Sequence, residues 1–332
     1  MAKPRVRLNY ARLDGVVAHL EHLGVPPDTE DPVPINLSDA VLGSLNLVTV
    51  AINHQTTPVH GVALRGEIFG KPRRGWDYLR ECWIQALQNN EAIADPENLA
   101  RFTEKQLDSI LLGSPIDGPK RRVELLRDIG VKMLRNGWRH IDDLYESAEG
   151  YLVRKDGQGI LQGLAQFDAY ADPLQKKSYY FLALQKNGGL WVYKDPMNLG
   201  PPVNYHETRF LVRLGCIEIL DKKLLAKLRK GERVTEKDDY EIRSAARTAI
   251  IYFADALGKT PSEIHYMNWN IARNCCTREN AHCHECGDSC TLPERYQLGS
   301  HGGQRCTFAD ICPSKDVPEK PFDPYCEGII WH

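Results

Sequence analysis

The chain has 332 residues, 42% of them hydrophobic and 26% charged, which excludes a disordered polymer and allows one large core or two lobes. A formal charge of −2 excludes a global electrostatic pull on a polyanion, so contact with nucleic acid would have to rest on a local basic patch. No apolar run of about 18 residues is present and no secretory leader follows Met1, so a cytoplasmic protein without a membrane span is expected.

Apolar residues recur mainly at helical spacing and are interrupted at Pro, Gly and Asn/Asp clusters, which predicts a mostly α protein. Residues 1–36 read as an exposed N-terminal extension. Residues 37–53 read as a buried helix with Ser38 and Asp39 as candidate caps, followed by a loop with Gly61, Gly66 and Gly70. Residues 76–88 predict an amphipathic helix, and Thr103-x-x-Gln106 is a capping box ahead of Leu107, Ile110 and Leu111. Residues 121–136 place Val123, Leu126, Ile129, Gly130, Met133 and Leu134 at helix spacing, and residues 141–147 begin another short helix. Residues 188–193 are the one candidate for extended chain. No internal repeat or low-complexity linker breaks the chain. The divisions expected are a helical region over 37–150, a second lobe over 151–274 and a Cys-rich tail over 275–332.

Eight of the ten cysteines fall in the last 58 residues. Cys276-x6-Cys283-x2-Cys286 has metal-ligand spacing, because closely spaced thiolates converge on one centre at little cost in loop closure. A disulfide framework suits short secreted chains instead. Cys82 and Cys216 stand apart in apolar helical contexts and read as buried, inert thiols.

A second constellation runs from Asp172-Pro-Leu-Gln-Lys176-Lys177-Ser178 to Asp195 and then Pro201-Pro202-Val203-Asn204-Tyr205-His206-x-x-Arg209-x-x-x-Arg213-Leu-Gly215. The prolines cannot continue an earlier helix, so Asn204 falls at the start of the next, where free amide donors and the helix dipole meet solvent or ligand. Gly215 ends that helix.

In order and spacing, residues 160–312 resemble the helix-hairpin-helix superfamily of base-excision DNA glycosylases. The matching pieces are Lys177-Ser-Tyr, Val203-Asn204-Tyr-His206-x-x-Arg209 and the approach to Cys276 through residues 264–276. A second resemblance, to the queuosine salvage nucleosidases of similar fold, rests on residues 50–53, Gly75-Trp76, 102–107, 121–130 and Asp239-Tyr-Glu-Ile-Arg243. The first implies an N-glycosylase acting on a damaged or modified purine-like base in DNA. The second implies release of a deazapurine from a nucleoside or its monophosphate, and a non-catalytic DNA or nucleotide binder is the third possibility. Carried onto this chain, the resemblance implies catalytic positions at Asn204 and Lys177, with substrate contacts from Lys176, Tyr205, His206, Arg209 and Asp195. It also implies a [4Fe-4S] cluster on Cys276, Cys283, Cys286 and Cys312, with Cys290 or Cys306 as substitutes. The remaining thiols, with His282, His284 or Cys326, form a possible additional zinc site, and Arg278 or Arg305 is presented to phosphate.

The chain departs from that pattern in three places. Asn204 stands where the glycosylases carry an aspartate that stabilises positive charge on the sugar or activates water, and an amide does neither well. Asp195 or Asp172 could supply the charge instead. The stretch from Phe167 to Lys177 lacks the paired glycines that bring backbone amides to a DNA phosphate, and Cys306-x5-Cys312 closes the cysteine run only after an insertion containing Cys290. Of the aromatics, Trp191, Tyr193, Tyr205 and Trp269 are candidates to stack on a base, Tyr205 and His206 being favoured by their place beside Asn204, with Glu207 a weaker candidate.

Overall fold

A computed structural model describes residues 4–28, 37–279, 281–286, 290–299, 304–321 and 323–331. The protein is mostly helical, with two small two-stranded sheets among the described residues. It divides into two compact units, Met1–Thr29 with Gly200–Ile329 and Glu30–Leu199 with Ile330–His332.

The first unit opens with β1 (Val6–Leu8) and α1 (Tyr10–Leu23), a stretch expected to be exposed. Instead Asn9 caps α1, its side chain accepting from Arg12 N at 3.1 Å, and Leu13, Val16 and Leu20 form a buried stripe. The partners of that stripe lie about two hundred residues downstream, so its burial is not local information. In the remainder of this unit are α10 (Tyr205–Arg213), β4 (Ile217–Ile219), α11 (Lys222–Lys230), α12 (Glu236–Leu257) and α13 (Pro261–Asn274). β1 pairs antiparallel with β4, Val6 opposite Ile219, and α1 packs on α12. Thr235 and Thr260 each close a capping box, which defines where α12 and α13 begin.

The second unit begins with α2 (Asp39–Ile52), apolar nearly all round and buried accordingly, with Ser38 as its N-cap. The loop expected around Gly66 and Gly70 is a hairpin of β2 (Arg65–Ile68) and β3 (Lys71–Arg74), turning through Phe69 and Gly70 at φ 50° and 69°. Two consecutive left-handed residues make the tight turn that matches strand twist. The charged, non-alternating sequence of these strands concealed them. Next come α3 (Gly75–Asn89), α4 (Pro96–Leu99), α5 (Glu104–Ile110), α6 (Pro119–Asn136), α7 (Asp142–Ser147), α8 (Ile160–Leu164) and α9 (Lys176–Asn187). Thr103 forms the expected capping box, accepting from Gln106 N at 3.2 Å while Gln106 accepts from Thr103 N at 2.9 Å. Residues 188–193 form no strand. Trp191 and Tyr193 are core side chains there, bonded to Asp142 Oδ1 at 2.7 Å and Leu182 O at 2.7 Å.

Gly130 lets α6 meet α4 backbone to backbone: a Cβ there would lie 2.3 Å from Ala100 N and 2.6 Å from Pro96 O. Neither neighbour is a flexible side-chain tip. Gly130→Ala is therefore expected to destabilise the protein by about 2 kcal/mol, read as a lower urea midpoint, despite the better helix propensity of alanine.

Candidate functional site

In the first unit the site is built on the N-terminus of α10. Asn204 Oδ1 accepts from His206 N at 2.8 Å, and Asn204 N donates to Glu207 Oε2 at 3.1 Å. The other oxygen of Glu207, a fully buried residue, meets Nδ1 of His265 on α13 at 2.8 Å. The carboxylate nearest to Asn204 in sequence is thus engaged within the fold. Tyr205 and His206 remain partly exposed with ring centroids 4.3 Å apart, His206 lies edge-on to Trp269 at 6.5 Å, and Arg273 covers Trp269 at 5.0 Å. These rings and Asn204 form one small aromatic patch at the helix start. Desolvation and the Arg209 guanidinium hold the His206 imidazole well below its ordinary pKa, so at neutral pH it is an uncharged ring.

Arg209 and Arg213, one turn apart on α10, are buried and point into the tail. Arg209 donates to Cys276 O at 2.9 Å and Ala272 O at 2.8 Å, pairs with Asp323, and lies 3.1 Å from His206 Nδ1. Arg213 donates to Pro321 O at 2.8 Å, Thr277 O at 2.6 Å and Arg278 O at 2.9 Å, and its Nη1 lies 3.5 Å from Cys276 Sγ. Arg209, a substrate contact on the sequence reading, is engaged within the fold. Asp323 also binds Arg278, at 2.8 Å to Nε. Burial opposes ionisation of Asp323, but Arg209 and Arg278 outweigh it and hold the carboxyl at about 2. No local pattern announces Asp323, because its partner Arg209 is 114 positions away.

The tail thiols surround this region. Cys312 Sγ lies 3.6 Å from Arg213 O. Burial raises the thiol of Cys275 to about 12 and that of Cys312 to about 11. Among the described residues, no three Cys, His, Asp or Glu side chains are grouped closely enough for a single metal ion. His284 faces Asp316 at 3.2 Å near the surface, Arg305 pairs with Asp310 at 2.9 Å, and the charges around buried Cys326 are those of Asp239, Glu236, Arg233 and Arg243. Cys82 and Cys216 are buried, their thiols pushed up to about 11 and about 12.

In the second unit, Lys177 lies fully buried in the first turn of α9 and donates to Ala51 O, while Arg122 on α6 donates to Ile52 O, His54 O (2.6 Å) and Asp117 O (2.9 Å). The cations thus occupy the C-terminal carbonyls of α2, where the helix dipole favours positive charge. Burial lowers all three basic groups, Arg122 to about 9 and both Lys177 and His54 well below their ordinary values, with Lys176 adding repulsion. Nδ1 of buried His54 has no hydrogen-bond partner among the described residues. Arg122 and His54 escaped the sequence reading because a polar residue at a helix end usually faces water. Asp172 accepts from Leu174 N at 3.1 Å and Lys176 N at 3.0 Å, and Asp195 accepts from Leu152 N at 2.6 Å, Val153 N at 3.0 Å and Asn198 Nδ2 at 2.7 Å. Both carboxylates therefore hold loops together.

No helix among the described residues is long and apolar enough to cross a membrane. No protein-family model matches the chain, and no curated protein matches it.

Asp323 makes the stability of the first unit acid-sensitive. Its folded pKa is depressed, so its stabilisation is present above about pH 4 and is lost as pH falls through about 2, amounting to about 2 kcal/mol. Asp323→Asn is expected to remove that acid limb from denaturant unfolding curves. At neutral pH it should cost about 3 to 5 kcal/mol by leaving buried guanidinium charge uncompensated.

Proposed function

We propose that this protein has a helix-hairpin-helix glycosylase-like fold and hydrolyses the N-glycosidic bond of a purine-like base carried on a nucleoside or its monophosphate. The observation that carries the reading is the buried basic cluster of Lys177, Arg122 and His54, with its unpartnered His54 Nδ1. Such a cluster is suited to one desolvated anion, as a nucleotide phosphate supplies. The turn before α9 supports a small substrate: the Leu174 and Lys176 amides already bond to Asp172, and Gln175 N donates to Asp172 O at 2.9 Å. These amides would be the donors to a DNA backbone in a phosphate-binding hairpin. Duplex DNA with a modified base is the second reading, favoured by the cysteine spacing.

On α10, the patch of Tyr205, His206 and Trp269 offers π faces for a base. Cleavage builds positive charge on the sugar, and the residue that would answer it is at position 204. Unit charges about 4 Å apart at an effective dielectric of 20 interact by about 4 kcal/mol. An aspartate at 204 would make the same cap bond to His206 N. Asn204→Asp is therefore expected to raise base release about a thousandfold, read by mass spectrometry with queuosine monophosphate and modified duplex as substrates. If neither form releases base from either substrate, the hydrolase reading fails.

Phosphate binding gives a separate test. An anion beside Lys177 and His54 raises pKa values that burial has lowered, so binding takes up protons. Calorimetric titration with inorganic phosphate in buffers of different ionisation enthalpy should show that uptake, and Lys177→Met should abolish it. A shallow dependence of affinity on salt fits one phosphate, whereas a steep one fits duplex DNA.

A further inference from the structure

We infer that the start of α10 offers a ligand an edge of hydrogen-bond donors, and that Asn204 and His206 thereby select a 6-oxopurine over a 6-aminopurine. This rests on the reading of the α10 patch as the place of the base, and it names the base.

Two hydrogen bonds inside the fold decide which atoms are left open. The backbone N–H of His206 can only donate, so the atom of the Asn204 side chain that meets it at 2.8 Å is the amide oxygen. That leaves Nδ2 as the open end of the amide. It makes no hydrogen bond among the described residues, although Asn204 is only 8% exposed. The same logic fixes the ring of His206. A guanidinium nitrogen has hydrogens and no lone pair to offer, so Nδ1 of His206, 3.1 Å from Arg209 Nη2, is the accepting nitrogen. A doubly protonated ring would set N–H against N–H. The proton of the neutral ring therefore sits on Nε2, which has no partner among the described residues and belongs to a partly exposed side chain. Trp269, edge-on to His206, adds an indole N–H, which also can only donate.

The carboxylates close by do not offset these donors. Glu207 is taken by Asn204 N and His265, and Asp323 by Arg209 and Arg278. A base stacked on the rings of the patch thus meets N–H groups at its edge. Among purines, two adjacent acceptors are what a 6-oxopurine presents, O6 beside N7, whereas a 6-aminopurine places an amino donor next to N7. An amino group at that position would oppose N–H to N–H and leave a largely buried donor unpaired, which is how a site rejects a ligand of nearly the same shape. Asn204 gains a role of its own in this arrangement. An aspartate at 204 keeps the cap bond but exchanges the Nδ2 donor for an acceptor, so it adds charge for the reaction and loses the means of reading O6.

The test uses the full chain and calorimetric binding of inosine, adenosine and 7-deazainosine, so that neither phosphate nor turnover enters. Inosine is expected to bind at least about tenfold more tightly than adenosine, with 7-deazainosine, which keeps the carbonyl and lacks N7, in between. In Asn204→Asp the preference for inosine should vanish or reverse, and His206→Phe should lose most of it. Against misfolding of a variant, nitrogen-15 spectra of the unmutated protein read the His206 tautomer directly. They should show a bare Nδ1 and a protonated Nε2 at neutral pH. The opposite tautomer overturns the inference, as do equal affinities for inosine and adenosine, equal affinities for inosine and 7-deazainosine, or no binding of any of the three. Base release without this preference would leave the hydrolase reading standing and remove this one, and the preference without base release would do the reverse.

Discussion

Burial of basic side chains at the carbonyl ends of helices is the constraint on which the rest of this structure depends. A guanidinium or ammonium taken out of water costs several kcal/mol unless acceptors surround it. In the first unit Arg209 reaches Ala272 O and Cys276 O, at and beyond the end of α13, and Arg213 continues to Thr277 O and Arg278 O. In the second, Lys177 and Arg122 do the same to Ala51 O, Ile52 O and His54 O at the end of α2. Those carbonyls have no partners within their own helices, so each pairing satisfies both sides. Asp323 adds a full negative charge in the first unit, whereas the second relies more heavily on dipoles.

The two units consequently differ in chemical character. Around α10 the buried acids have partners: Glu207 meets His265, and Asp323 meets Arg209 and Arg278. What remains there for a ligand is an uncharged aromatic surface and one amide, at Asn204. At the end of α2, basic groups outnumber the acids that bear on them, and burial shifts them toward their neutral forms. That electrostatic imbalance is the basis of the anion site we propose.

Local rules were legible in the sequence. The Thr103 box, the Ser38 cap and the stripe of α6 follow from side-chain oxygens reaching backbone amides and from the 3.6-residue period, both of which operate within a few residues. Asn204 was placed correctly at a helix start for the same reason. What escaped depends on distant partners. The stripe of α1 faces elements near the far end of the chain, the charged strands of the β2–β3 hairpin carry no alternation, and an arginine letter does not say whether it will be hydrated or, like Arg122, Arg209 and Arg213, enclosed.

The chain's return on itself at β1 and β4 also has a consequence for synthesis. The second unit is a continuous stretch apart from Ile330–His332, so most of it can collapse while later residues are still being made. The first unit cannot. Its opening strand waits for residues 217–219, α1 waits for α12, and the arginines of α10 wait for carbonyls and a carboxylate as far along as Asp323. Until then Leu13, Val16 and Leu20 remain uncovered on the nascent polypeptide. That early apolar stripe is an exposed interval during translation in which chaperone capture or self-association competes with folding, and its length is set by the elongation rate.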